Sequence, residues 1–363
     1  MKILKTIVLS LLTGANSVTI ALMLAVGYSD RINPADYPLL GCLGMFFPLF
    51  IAANMAFLVL WLIVKWKRVW IPIAGFALAY MPIRTYIPLN PSAKPPSEDY
   101  LKVISYNVAG FNYNKNKTAF DSIYAYLERQ QPDIVCLQED VNPKIEIIEH
   151  MGHLFPYNDT IHVGEPTQKY INAVGLHTRF PIVKSERISY GSTNNGSAAF
   201  YVLIDGDTTL IINNHLESTH MSEGDRQRYT DVLKGDVERD SMRQETSFLL
   251  HKVGAQMALR APQADAVHQY IEEHRHYPII VCGDFNDTPI SYTHYTIGKG
   301  LADCFVESGT GIGLSYNQKG FFFRIDHIMC SDHFTPQACK IDSKIDISDH
   351  YPVVCWLKKV DKP

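Results

Sequence analysis

Up to Pro91 the chain consists of three long apolar runs separated by short polar stretches, whereas beyond it apolar and charged positions alternate as in a globular domain. The first run, Ile7 to Tyr28, is long enough at about 1.5 Å per residue to cross a bilayer core of about 30 Å. Polar Ser10, Thr13, Asn16, Ser17 and Thr19 within it require neighbouring helices. Lys2 and Lys5 ahead of it also suit a signal peptide, although no small-residue cleavage site follows. The second run, Leu39 to Val64, carries no charge. The third, Val69 to Leu89, holds Pro72, Pro82 and Arg84, so Arg84 must reach an interface or face protein. Trp61, Trp66, Trp70, Tyr80 and Tyr86 fall near the run ends, where amphipathic rings favour the membrane interface. The pattern predicts three transmembrane helices within residues 1–90, placed in a cell (inner) membrane, rather than core helices of a soluble protein.

Basic residues set an orientation. Lys2 and Lys5 precede the first run, and Lys65, Lys67 and Arg68 fill the turn between the second and third, so both belong on the cytoplasmic side. The loop from Ser29 to Pro38, with Arg31 against Asp30 and Asp36, suits the outer face, and three crossings deliver the rest of the chain outside the cytoplasm. PLNPSAKPPSED, from Pro88 to Asp99, predicts a stiff linker over residues 91–100 that holds a globular domain, residues 101–363, off the membrane.

From Leu101 the pattern reads strand (LKVISYNV), helix (Thr118 to Gln130) and strand (DIVCLQE). Ala199 to Ile204 and Thr209 to His215 flank Asp205-Gly206 as a hairpin. Leu249, Val253, Met257, Ala264, Val267 and Ile271 recur at helical spacing, with Pro262 as a kink or a new start. PIIVCG, FRIDHIMC and YPVVCWL read as further strands, and the mixed-sign stretch from Glu223 to Glu245 as a solvated helix. Interleaved helices and hairpins predict a layered α/β fold with mixed sheets.

Charge narrows the partners. Residues 1–96 hold eight Lys and Arg against two Asp and Glu, leaving 25 against 35 for the remainder. A domain this acidic lacks the basic footprint of a tight nucleic-acid binder. The seven cysteines form no zinc-type CxxC pattern; Cys136, Cys282 and Cys355 fall in apolar strands, and Cys304, Cys330 and Cys339 leave room for one disulfide.

Polar residues close the strands repeatedly: Asn107, Gln138, Glu139, His215, Asp284, Asn286, Asp326, Asp349 and His350. Each alone is more often a turn residue, a cap or a structural histidine, but strand ends on a rigid sheet can aim side chains into one cleft. The segments ISYNV, VCLQE, NNHLES, VCGDFND, FRIDHI and SDHYPV, in this order across residues 101–357, resemble the endonuclease/exonuclease/phosphatase superfamily with its deoxyribonuclease-like fold. The resemblance implies a four-layer α/β/β/α sandwich with two mixed sheets, hydrolysing a phosphoester with a divalent metal, Mg²⁺ or else Mn²⁺. It implies Glu139 as the direct metal ligand, with Asn107 and Asp349 supporting an oxygen-rich site that suits a hard cation. Asp284 would orient or deprotonate the attacking water, Asn286 would hold phosphate and water in line, and His350, paired with Asp326, would bind or protonate a phosphate oxygen. His215 falls where deoxyribonuclease-like, sphingomyelinase-like and inositol-phosphatase-like members carry His and bacterial repair AP endonucleases typically carry Tyr.

Nearby residues take other readings. Asp140 reads as a helix-start residue and Asp287 as an N-cap, while His220, His251, His268, His274 and His276 read as surface residues. Three functions follow: a membrane-anchored hydrolase of a lipid-linked or small phosphoester, an extracytoplasmic nuclease, or an inactive tethered binding module. The acidic balance and the anchor favour the first, and the intact motif residues weigh against the third.

Overall fold

The structure, a computed structural model, describes residues 2–91, 99–116, 118–141, 145–163, 172–192, 194–318, 320–321 and 323–360. Its helical part comprises α1 (Lys2–Gly27), the single-turn α2 (Pro38–Gly41), α3 (Phe47–Val64), α4 (Trp70–Leu78) and α5 (Tyr80–Tyr86). Two stretches, Lys2–Arg31 and Pro38–Val64, are long and apolar enough to cross a membrane. The expected third span is not one uninterrupted helix, because it breaks at Ala79 (φ −90°, ψ 13°). Pro82 accounts for the break: it has no N–H to offer the carbonyl four residues back, at Leu78, and its ring clashes with it.

Buried amides hold these helices together. Asn16 donates to Asn54, Trp61 Nε1 donates to Asn16, and Asn54 donates to the Pro72 carbonyl, each at 3.0 Å. Polar groups shut inside an apolar bundle must be paired in this way, so the network fixes α1, α3 and α4 against one another. Gly75 permits the close approach, since a Cβ there would lie 2.7 Å from Ile20.

The globular part carries, in chain order, the strands β1 (Leu101–Asn107), β2 (Ile134–Gln138), β3 (Tyr157–His162), β4 (Ala173–Thr178), β5 (Ile182–Ile188), β6 (Gly196–Ile204), β7 (Asp207–His215), β8 (Ile279–Asp284), β9 (Ala302–Asp303), β10 (Asp326–Cys330), β11 (Phe334–Ile341) and β12 (Val353–Lys359). They form two six-stranded sheets, ordered β11-β12-β1-β2-β4-β3 and β5-β6-β7-β8-β10-β9. Both are mixed: β1 runs parallel to β2 and β7 to β8, while β12 and β10 pair antiparallel with their neighbours. The helices are α6 (Ala119–Gln130), α7 (Ile145–Leu154), α8 (Glu223–Lys234), α9 (Arg239–Glu273), α10 (Tyr292–Ile297) and α11 (Cys304–Ser308).

Alternation along the central strands explains the layering. Val103 of β1 enters the core between the sheets with Cys136, Phe200, Ile211 and Cys282, whereas Ile104 and Tyr106 face Ile123, Leu127 and Phe155 on the helical side. On the second sheet Tyr201, Leu210, Ile212 and Val281 pack against Ala264, Val267 and Ile271 of α9. The result is the expected α/β/β/α sandwich. Helix α9 runs through Pro262 without a new start. The mixed-sign stretch is two helices rather than one, because Gly235 (φ 73°) caps α8 in the left-handed region.

Two expectations are corrected. All seven cysteines are free, and Cys304 Sγ lies 3.9 Å from Cys330 Sγ inside the apolar inter-sheet core. The globular part is also not held away from the helices. Arg84 pairs with Glu307 at 2.7 Å, Asn90 donates to the carbonyls of Val306 and Gly309 at 2.9 and 2.7 Å, and Arg324 donates to that of Thr85 at 2.6 Å. Ile290 is buried among Met23, Phe47 and Tyr86. Arg84 thus faces protein, and linker residues 92–98 lie outside the described residues.

Candidate active site

Strand register assembles the site. Asn107 pairs with Gln138 across β1 and β2, His215 with Asp284 across β7 and β8, and Asp284 with Asp326 across β8 and β10. Residues at one level on adjacent strands share a face, so the second sheet presents His215, Asp284 and Asp326 together. Gly283 makes this packing possible: at φ 141°, a Cβ there would lie 2.1 Å from the Asn214 carbonyl oxygen. Glu139 (φ 55°) and Asn286 (φ 52°) adopt the left-handed region just beyond their strands. Such geometry costs on the order of 1 kcal/mol for a non-glycine residue and recurs where side chains are aimed for function.

The polar atoms converge. His350 Nδ1 lies 2.8 Å from Asp326, and its Nε2 lies 3.6 Å from Asp284 Oδ2. His215 Nε2 lies 3.8 Å from the same oxygen and 3.9 Å from Glu139. Asn107 Nδ2 donates to Asp284 at 3.1 Å and to Glu139 at 3.3 Å. The Asn286 backbone N–H donates to Asp284 Oδ1 at 2.8 Å, while its side-chain amide donates to the Leu216 carbonyl at 3.0 Å. Asp349 follows Ser348, whose hydroxyl donates to the Asn107 carbonyl at 2.7 Å, so the last loop is tied to the end of β1. The eight residues given roles from the sequence therefore gather at one end of the two sheets, although the Asn286 amide is already engaged. Gln138 does not join them: its amide donates to Asn213 at 2.7 Å between the sheets.

Electrostatics divide the labour. Burial raises the Asp284 pKa to about 6, with Asp326 adding to the rise and His350 and His215 opposing it. Burial works against a charge on His350, but Asp326, Asp284 and Asp349 outweigh it and hold the imidazole well above its usual value. His215, by contrast, is lowered by burial. Glu139 keeps 38% of its side chain exposed to the cleft, yet the surrounding protein and then Asp349 raise its carboxyl.

Three contributors escaped the sequence reading. Asn172 Nδ2 lies 2.9 Å from His215 Nδ1 and, as a donor, places the ring proton of neutral His215 on Nε2, towards Asp284 and Glu139. Ser348 carries the tie just described, and the Tyr316 ring lies edge-on to His350 with centroids 5.1 Å apart. Asn172 and Tyr316 fall outside the matching segments, and no periodic pattern marked them. Two bland readings also change. Asp140 starts no helix but accepts hydrogen bonds from Thr160 and His177 at 3.0 Å. Asp287 is not an N-cap; buried, it accepts from Thr293 at 2.9 Å and lies 3.4 Å from Arg260, while Ser291 caps α10. A cleft of about 490 Å³, lined by Asn112, Glu139, Asn172, Asn195, His215 and His220 among others, opens beside these groups. His220 there pairs with Glu217 at 3.0 Å.

Comparison with known proteins agrees with this geometry. Residues 104–350 match the Endonuclease/Exonuclease/phosphatase family, and residues 9–86 match a domain of unknown function. Tyrosyl-DNA phosphodiesterase 2 of Xenopus tropicalis is 22% identical over 144 residues, 39% of this chain, which spans only 38% of that relative's length. A humanized D. rerio TDP2 shares the fold at TM-score 0.50 and 20% identity, over 72% of this chain and 99% of that one. The human Nocturnin catalytic domain with bound sulfate does so at 0.51 and 17%, over 74% and 96%. Since the family match runs from Ile104 in β1 to His350, more than half of the chain, and takes in all eight of these residues, the chain belongs to the Endonuclease/Exonuclease/phosphatase family, whose members hydrolyse phosphoesters and generally depend on a divalent metal.

Proposed function

We propose that the protein is a membrane-anchored phosphoesterase that hydrolyses a small or lipid-linked phosphoester with a divalent cation, Mg²⁺ or Mn²⁺. The observation that carries this reading is the meeting of two imidazole N–H groups, on His350 and His215, with the Asp284 carboxylate at 3.6 and 3.8 Å. Donors for phosphate oxygens and an acceptor for a water proton are what hydrolysis of a phosphoester requires. Asp284, held by Asn107 and the Asn286 N–H, accepts the proton of the attacking water. His350, kept charged by Asp326, donates to a phosphate oxygen as negative charge develops. Neutral His215, oriented by Asn172, donates through Nε2.

Glu139, Asn107 and Asp349 fit a hard cation: two carboxylates repel each other here, and Asp349 raises Glu139 accordingly. When bound there, the ion supplies Lewis acidity and positive charge for the scissile phosphate. The domain division follows the sequence reading, with a membrane domain at 1–90, a linker at 91–100 and the catalytic domain at 101–363.

Anchor topology rests on contacts. The loop after α1 meets the globular part through Arg31 over the Tyr295 ring, and Cys42 and Tyr86 lie on the same side. Arg68, in the basic turn, instead donates to the Leu9 carbonyl near the start of α1. On this reading α1, α3 and the kinked α4–α5 segment make three crossings, with the basic turn in the cytoplasm and the catalytic domain outside it.

The alternative, a nuclease, draws on the relative named for DNA phosphodiesterase activity. A panel of lipid-linked and small phosphoesters against oligonucleotide and plasmid DNA, in equal metal and moderate salt, decides between them. We expect higher kcat/KM on the small or lipid-linked substrates; mutation-sensitive DNA cleavage without turnover of the others reverses the assignment.

The pH profile tests the roles. Activity should fall below about pH 6, where Asp284 takes up a proton. Asp326→Asn removes the negative charge that raises His350, so the alkaline limb should move to lower pH. An unmoved limb would detach His350 from Asp326.

A further inference from the structure

We infer that His294, Asp303 and His327 form a second metal site, apart from the candidate active site, that takes one divalent ion of the zinc class. His327 follows Asp326 on β10 and therefore points to the opposite face of the sheet, where its ring meets those of Phe285 and His294 at centroid distances of 5.0 and 4.7 Å. One ligand atom from each of His294, Asp303 and His327 lies within 4.8 Å of the others. His294 Nε2 lies 2.7 Å and His327 Nδ1 3.7 Å from Asp303 Oδ2. Tetrahedral ligands at 2.0–2.1 Å from zinc are about 3.3 Å apart, so the two spacings bracket the requirement and shifts of about half an ångström satisfy it.

An orphaned atom points to a cation. His327 is 1% exposed, and its Nε2 lies 3.3 Å from the Asp287 carbonyl oxygen, to which that nitrogen donates. Nδ1 is then a bare lone pair with no hydrogen-bond partner, facing a carboxylate oxygen. Two acceptors turned towards each other in the interior repel unless a cation lies between them. Arg324, also buried, donates through Nη2 to the carbonyl of Thr85 and through Nη1 to that of Ile312, and makes no hydrogen bond to Asp303.

The surroundings are those of a built site. A metal-bound imidazole ordinarily donates its other N–H to a carbonyl or carboxylate, as His327 does to Asp287. Asp303 Oδ1 accepts the backbone N–H groups of Phe305 and Val306 at 2.8 and 3.0 Å, which fixes the carboxylate and leaves Oδ2 to the histidines. Two imidazoles and one carboxylate favour a zinc-class ion over magnesium, which prefers oxygen alone. Such an ion ties α10 to β9 and β10. Tyr295 of α10 carries the Arg31 contact, so the clamp stiffens the surface that seats the helical part.

Cobalt(II) titration of the full chain in detergent, after chelation, reads the site directly. Tetrahedral nitrogen-and-oxygen coordination gives an intense visible band, whereas an oxygen-rich, six-coordinate ion at Glu139 gives a weak one. We expect the intense band in the native chain and in Glu139→Gln, its loss in His327→Gln and His294→Gln, and a rise of several degrees in the zinc-dependent unfolding midpoint that both histidine variants lack. Near-UV circular dichroism identifies a variant that fails to fold, and the native chain alone still decides the matter. Absence of the band from the native chain, or its persistence in folded His327→Gln, overturns the site and leaves a hydrogen-bonded His–Asp–His network only.

Discussion

Asp284→Asn is expected to lower turnover by about 10³-fold, equivalent to about 4 kcal/mol of barrier. The substitution keeps the shape of the side chain but removes the base. Its two oxygens accept from Asn107 at 3.1 Å and from the Asn286 N–H at 2.8 Å. An asparagine offers one acceptor, so one of these donors loses its partner in a buried setting, at a cost of about 1–3 kcal/mol. The unfolding midpoint measures that second effect separately. Near-normal turnover in a folded Asp284→Asn protein would move the base elsewhere.

Removal of divalent metal should abolish turnover altogether, and Mg²⁺ or Mn²⁺ should restore it. Glu139 is the only one of the proposed ligands that combines a carboxylate with 38% exposure to the cleft and a left-handed backbone aimed there. Glu139→Gln removes one negative charge beside Asp349 and weakens attraction for a cation, so the metal concentration giving half-maximal activity should rise by at least about tenfold. Full activity in excess chelator would sink the metal assignment. An unchanged metal requirement in Glu139→Gln would transfer the ligand role to Asp349 and Asn107.

The periodicity of the chain was sufficient for much of the architecture. Central strands such as β1 and β8 are buried on both faces, so their apolar runs identify them locally, and the polar residue that ends each run was visible before any contact was known. Asp284 and His350 were legible as polar strand ends within segments that resemble a known family, whereas the need for Gly283 appeared only with the Asn214 carbonyl oxygen 2.1 Å from where a Cβ would lie. Asn172 was not legible, because a lone asparagine before β4 resembles any turn residue until His215 is placed 2.9 Å away. The Pro-rich linker misled in another way. Its composition predicted a spacer, but the globular part packs on the helices, with Ile290 buried among Met23, Phe47 and Tyr86.

Local rules therefore determined the central strands, the long helices and the polar residues at their ends, but not the edge strands β3, β5, β9 and β11 or the short helices. Tertiary structure decided which of those ends meet. The pairing of His215 with Asp284 and of Asp284 with Asp326 depends on strand register. Register is set by the summed packing of two sheets and two helical layers, to which residues distant in the chain contribute equally with near ones. The same holds for the break at Ala79 and for His327 facing Asp303: proline placement hints at the first, but only the assembled fold brings a buried imidazole lone pair to 3.7 Å from a carboxylate oxygen.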